Sequence, residues 1–322
     1  MPDRFDRAII IGDACVDVHI ALNDLIHADP NRALPYHINT GGTSAGTAVA
    51  LAKLKTPTAF LGTVGEDFGG RFILDELKSL DIDTELMIVA DDLNTVNVFA
   101  FINDEGERYL WGFPRVDHAY SQLDFERIDI DKIRKASWLH SSGMTLLAKG
   151  SIRQSLPKLF QIACEAGVPT SFDLNTRVND LSLLDEEAVE AIRKTLPYVK
   201  YLTGSARDEF VSFHPGENWK DSVRFFADED HSVIARDGRN GFLVIENGKE
   251  YSWPSYDVEV KDTTGAGDSF NAGLICSLLE GKDLFEAAKF ANAVSGYKIS
   301  GHEINKDAVT AFMKNTALRS NE

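Results

Sequence analysis

Unbroken apolar runs alternate with stretches of helical period along most of the 322 residues. Ala8-Ile9-Ile10-Ile11, inside Arg7 to Val18, is the kind of run found in a parallel strand buried on both faces. Thr58 to Gly65, Trp138 to Gly143, Val168 to Leu174, Tyr198 to Leu202, Ser232 to Arg236 and Gly241 to Glu246 also read as strands. Between them, Arg71 to Leu80, Ile152 to Glu165, Glu186 to Leu196 and Leu284 to Ser300 read as helices, and Asp185 stands where it can cap its helix. Gly41-Gly42 opens a small-residue helix with Val49, Leu51 and Leu54 apolar. Its glycines are expected to leave bare N–H groups at the helix start, suited to polar ligand atoms. The alternation predicts an α/β domain with a mostly parallel sheet covered on both faces.

A second pattern interrupts the first. Asn94 to Ile102 and Glu107 to Phe113 are rich in β-branched and aromatic residues and flank Asp104-Glu105-Gly106, which predicts a hairpin. Tyr36 to Thr40 is a short strand after the polar, loop-like stretch Asp24 to Pro35. Together these segments, near 18–40 and 94–115, predict a small β lid beside the main sheet. No internal repeat or linker divides the chain, so residues 1–322 are expected to form one domain.

The chemistry concentrates in Lys261-Asp262-Thr263-Thr264-Gly265-Ala266-Gly267-Asp268-Ser269-Phe270-Asn271-Ala272-Gly273. The alternating run Tyr251 to Val260 before it reads as a strand. Ser269 to Leu279 has Phe270, Leu274 and Leu278 at helical spacing. Gly265 and Gly267 let the backbone approach a ligand closely. The first N–H groups of a helix lack internal partners and carry partial positive charge, which makes an anion site. Asp268 would repel a bound anion. Its placement makes sense if it takes a proton from a hydroxyl that attacks the anion, which is phosphoryl transfer. The plainer reading is an Asp-capped helix after a glycine turn.

Net charge narrows the partners. At −17 it argues against nucleic acid and anionic membrane, while a small anionic ligand needs only a few local cations. No apolar run is long enough to span a bilayer, and Met1 to Arg7 is too polar for a signal peptide. Cys15, Cys164 and Cys276 form neither a disulfide nor a zinc spacing, and a cytoplasmic location is expected. Gly12 closes the first strand and Asp17 follows five residues on, where an open α/β sheet commonly meets its ligand. A turn or edge-strand role for Asp17 fits the spacing equally well. A P-loop is missing, and no G-x-G-x-x-G follows the first strand, so neither a P-loop enzyme nor a Rossmann dehydrogenase is expected.

Asp-Thr-Thr-Gly-Ala-Gly-Asp followed by a small-residue helix closely resembles the C-terminal signature of the ribokinase (PfkB) family of carbohydrate kinases. Gly41-Gly42 with its Ala-rich helix resembles the N-terminal signature. Gly65, Asp67 and Gly69 match a G-x-D-x-x-G pattern. Asp173-Leu174-Asn175-Thr176-Arg177 resembles the D-x-N-x-R segment of the fructokinase and 2-keto-3-deoxygluconate kinase branches. The resemblance spans nearly the whole chain and implies a ribokinase-like three-layer α/β sandwich with a β lid.

It also implies roles. Asp268 is the catalytic base and Gly265, Ala266 and Gly267 form the anion hole. Asp17, Gly41 and Gly42 hold substrate hydroxyls, and Arg115 and Arg177 are candidates for a sugar-acid carboxylate or for surface ion pairs. Asn175, Gly238 and Asn292 lie on the ATP side. Glu209 organises Mg²⁺ through water, against the plain reading of a solvated helix-start acid. Asp262 and Thr264 match positions that bind a monovalent cation, such as K⁺, in some members. Gly46 and Ala206 depart from the family, which usually has Asn at both; at Gly46 the change removes a polar contact and leaves space.

The expected reaction is ATP-dependent phosphorylation of a primary hydroxyl of a small sugar or sugar acid. The lid excludes water, and Asp268 works at its ordinary pKa. A nucleoside kinase of the same family and a non-catalytic sugar-binding regulator are the alternatives. Lid strands with an exposed edge predict a homodimer through the lid.

Overall fold

The computed structural model describes residues 5–27, 29, 31, 36–103, 108–113 and 118–320. Among them the strands are β1 (Phe5–Ile11), β2 (Cys15–Ala21), β3 (Tyr36–Gly41), β4 (Thr58–Leu61), β5 (Thr63–Gly65), β6 (Ile88–Ala90) and β7 (Asn97–Ile102), then β8 (Arg108–Phe113), β9 (Ala136–Ser142), β10 (Thr170–Asp173), β11 (Tyr201–Ser205), β12 (Ser232–Arg236), β13 (Phe242–Glu246) and β14 (Lys249–Trp253). The main sheet runs β14-β13-β12-β11-β10-β9-β1-β4. From β4 to β12 every pairing is parallel; β13 and β14 continue the sheet antiparallel.

The apolar run in β1 shows why the sheet is covered twice. Side chains alternate across a strand. Ile9 and Ile11 therefore enter one core, with the helix Ile152–Glu165, while Ala8 and Ile10 enter the other, with the helix Thr43–Lys53. The helix Ala266–Leu279 lies in this second layer against the helix Leu284–Ile299. Their approach is close enough that a Cβ on Gly273 would sit 2.7 Å from the Ala291 Cα.

After β1 the chain leaves the main sheet at Gly12, whose φ of 144° lies in the region that favours glycine. It enters a four-stranded sheet ordered β3-β2-β7-β8, in which β2 pairs parallel with β7 and the outer pairs are antiparallel. The stretch expected to be loop-like contains a short helix, Leu22–Ile26, with residues 28, 30 and 32–35 outside the described set.

One strand is shorter than its pattern suggests. The alternation Tyr251 to Val260 ends as a strand at Trp253. Pro254 has no N–H to extend the ladder, and Tyr256 makes an isolated bridge to Leu318 instead. The following helix begins at Ala266, three residues before the periodic stretch. No helix among the described residues is long and apolar enough to cross a membrane.

Candidate active site

The carboxyl ends of β1, β10 and β12, the start of β2 and the first turns of two helices meet in one cleft. This is where open α/β sheets bind ligands. Asp268 occupies the first turn of the helix Ala266–Leu279, whose cap, Gly265, has φ 72°. The Ala266 amide donates to Thr263 O at 3.2 Å, and Ser269 N donates to Gly265 O at 2.9 Å. The expected anion hole is thus narrower than the sequence implied, because the tight turn uses the Ala266 N–H. Among the described residues, the Gly267 and Asp268 amides have no hydrogen-bond partner.

Asp268 does not sit at an ordinary aspartate pKa. Burial first, then the Asp173 and Asp13 carboxylates, push it up to about 8 against the opposing pull of Arg177 and Arg236. The space expected beside Gly46 borders this carboxylate. A Cβ on Gly46 would stand 2.9 Å from Asp268 Oδ2. The absent side chain is what lets Asp268 come this close to the helix Thr43–Lys53.

The Gly41-Gly42 turn differs from its expected form. Its helix does not present bare amides, because Thr43 N donates to Asp13 Oδ2 at 2.7 Å and Ser44 N to Asp13 Oδ1 at 3.2 Å. The Thr43 and Thr145 hydroxyls also donate to Asp13 Oδ1, at 2.9 and 3.1 Å. Gly41 serves differently: a Cβ there would fall 2.2 Å from Asp17 Oδ2, so the glycine makes room for that carboxylate. Gly42, at φ 101°, turns the chain against the Asp13 backbone. Asp17 accepts a 3.4 Å hydrogen bond from Cys15 Sγ, and burial raises its pKa. Burial and the Asp17 and Asp13 charges hold the Cys15 thiol well above its usual range.

Asn175 and Arg177 follow β10 in a turn where both adopt positive φ, 29° and 56°. Arg177 Nε donates to Asn175 Oδ1 at 3.4 Å. Burial dominates the raised pKa values of Asp17, Cys15 and Asp268, and the exposed Arg177 guanidinium opposes all three shifts, so its field reaches this end of the site. Arg115 lies outside the described residues.

Glu209 is buried rather than solvated. Its carboxylate accepts from Ser205 N at 2.8 Å and Arg177 N at 3.3 Å, and burial followed by Asp173 raises its pKa. With Arg177, Ser205 and Asp208 it lines an open pocket beside β11. Among the described residues no group of three or more His, Cys, Asp or Glu side chains could enclose a metal. A fixed carboxylate at the pocket wall, with Asp208 beside it, fits Mg²⁺ that would arrive on phosphates and keep its waters.

Gly238 and Asn292 form a separate group on the β12–β14 side. Gly238 has φ 54° in the turn between β12 and β13, and Asn292 Nδ2 donates to Pro254 O at 3.0 Å. Gly241, in the same turn, packs against Trp253 O and Pro254. Asp262 Oδ1 accepts from Thr264 N at 2.9 Å in the loop before the helix.

Sequence reasoning missed Asp13, Asp173, Arg236 and Asn271. Asp173, 0% exposed, accepts from Arg236 Nη2 at 2.6 Å, Arg236 Nη1 at 3.0 Å and Asn271 Nδ2 at 2.7 Å. Burial would raise its pKa, but Arg236 and Asn271 outweigh this and hold it low. Thr203 Oγ1 donates to Asn271 Oδ1 at 3.0 Å, completing the network. The Asp in the D-x-N-x-R segment was the available signal.

An α/β sheet joined at Gly12 to a second small sheet, and a glycine-capped helix that carries Asp268 to the carboxyl edge, frame the candidate site. The chain belongs to the pfkB family of carbohydrate kinases, whose pattern matches residues 6–310. It is 29% identical over 306 residues to an ATP-dependent ribose-1-phosphate kinase of Halopiger xanaduensis, covering 95% of each chain. A 5-dehydro-2-deoxygluconokinase of Bacillus subtilis is 29% identical over 309 residues, 94% of this chain and 93% of that one. An aminoimidazole riboside kinase of Salmonella typhimurium is 28% identical over 315 residues, 97% and 92% of the two chains. Among solved structures, a ribokinase II candidate from E. coli in complex with ATP and Mg²⁺ matches with TM-score 0.81 at 20% identity, over 96% of this chain and 99% of that one.

Proposed function

We propose that this kinase moves the γ-phosphoryl group of ATP to a primary hydroxyl of a small sugar carrying an anionic substituent. The carrying observation is Asp268, a carboxylate of raised proton affinity next to the unpartnered Gly267 and Asp268 amides. The amides receive charge on the transferred group, and Asp268 accepts the hydroxyl proton. Asp17, for which Gly41 makes room, orients the sugar. Arg177 faces the anionic substituent, carboxylate or phosphate, since its field reaches Asp17, Cys15 and Asp268 together. The ribose-1-phosphate and 5-dehydro-2-deoxygluconate kinases among its relatives are named for anionic sugars.

The nucleotide lies along the β12–β14 side, near Gly238, Asn292 and Asn175, with its phosphates toward the Gly265–Gly267 turn. Mg²⁺, with Glu209 ordering its waters, would neutralise phosphate charge. Asp262 and Thr264 are assigned a monovalent cation; replacing K⁺ with choline then lowers turnover. The small sheet acts as the lid of a single-domain enzyme. Tyr36, Tyr109 and Trp111 are exposed on it, and we assign a homodimer to that face; a monomer in sedimentation at working concentration contradicts this.

The test is a panel of sugars, sugar acids, sugar phosphates and nucleosides scored for ADP release. Turnover restricted to anionic sugars supports the proposal. Preference for neutral nucleosides replaces it with a nucleoside kinase, and ligand-induced stabilisation without any ADP release points to a binding regulator.

A further inference from the structure

The buried Arg236–Asp173 pair has no part in the transfer as described, yet it lies beside both Glu209 and Asp268. The strand register pairs Asp173 with Thr203 and Ser205 with Arg236. These positions share one face of the sheet, beneath the helix that carries Asp268. Arg236 spans β11 to reach Asp173 with two parallel bonds. The same Nη1 donates to Gly267 O at 3.4 Å. A Cβ on Gly267 would stand 3.0 Å from that nitrogen, so any larger residue there would crowd the guanidinium. Asn271, one turn along the helix from Gly267, ties the same helix to Asp173 and Thr203.

We propose that Arg236 is a positioning residue: clamped by Asp173, it fixes the Gly267 peptide, and with it the anion site and the Asp268 carboxylate, in the geometry that transfer requires. This rests on the reading of Asp268 as the base. A guanidinium is suited to the task because its planar fork binds a carboxylate at two points and still offers an N–H sideways. Lysine keeps the charge but not the fork.

The test compares kcat and KM for Arg236→Gln, Arg236→Lys and the double variant Arg236→Gln with Asp173→Asn, using a sugar that the wild type accepts. Misplacing the anion site should lower kcat in Arg236→Gln by roughly 10²-fold, with each KM within about threefold of wild type. Arg236→Lys should recover part of kcat. The double variant removes both charges of the pair together, so it should melt closer to the wild type than Arg236→Gln alone and still turn over slowly. Wild-type kcat in the folded double variant, or a loss confined to KM, overturns the proposal and makes the pair a purely structural one. If neither neutral variant folds, full kcat in Arg236→Lys overturns it and a reduced kcat supports it. A wild type that phosphorylates nothing in the panel sinks the functional reading, and this inference with it; wild-type turnover with unaffected variants sinks this inference alone.

Discussion

Asp268 is tuned by its surroundings more than by its type. A base must be ionised to accept a proton, and burial beside Asp173 and Asp13 favours the protonated form up to about pH 8. The expected kcat/KM profile is therefore flat above that pH and falls about tenfold per unit below it. A profile without an acid limb near pH 8 contradicts this environment. The linkage runs the same way. The raised folded pKa means that folding favours proton uptake, so Asp268 stabilises the fold at low pH and loses that contribution as pH rises through about 8. Asp268→Asn should accordingly raise Tm over the wild type more at alkaline pH than under mildly acidic conditions. Gly46 makes a separate claim. Alanine favours a helix by about 1 kcal/mol over glycine, yet its Cβ would stand 2.9 Å from Asp268 Oδ2. Gly46→Ala should hold or raise Tm while lowering kcat; unchanged kcat would show that the contact is irrelevant.

Elements follow their sequence patterns where the controlling residues are close together in the chain. The apolar run in β1 gave a doubly buried strand because period-2 alternation needs only its own residues. The glycine turn before the helix Ala266–Leu279 was legible for the same reason, although the helix starts three residues ahead of its apolar period and is capped by Gly265 rather than by Asp268. The start of the helix Thr43–Lys53 was not. Its orphan amides are satisfied by Asp13, thirty residues upstream, rather than by a neighbouring side chain. No local capping rule reaches that far. Asp13→Ala should cost about 1–3 kcal/mol, the range for leaving buried donors unsatisfied, as measured by chemical denaturation; a loss below the scatter of surface substitutions would remove Asp13 as the cap. Likewise Arg236 reads as the end of a strand, and only folding brings it to Asp173, 63 positions away. The overlong strand at Tyr251 to Val260 has a different cause: alternation continues past Pro254, but the hydrogen-bond ladder does not.

Whole-molecule behaviour depends on how the small sheet serves the cleft. β2 carries Asp17, and β3 ends at Gly41, so the residues we assign to the substrate belong to the strands of this sheet. Sugar and a non-hydrolysable ATP analogue together should slow amide exchange in β2, β3 and β7, and ATP analogue alone should not. Equal protection with and without sugar would separate the sheet from substrate binding. The proposed transfer depends on proton acceptance by Asp268. Its most direct test is turnover of Asp268→Asn on the accepted sugar, with ATP binding measured in parallel. The expected result is a loss of roughly 10²–10⁴-fold in kcat, the usual contribution of a general base, with ATP affinity nearly unchanged; near-wild-type turnover would contradict it.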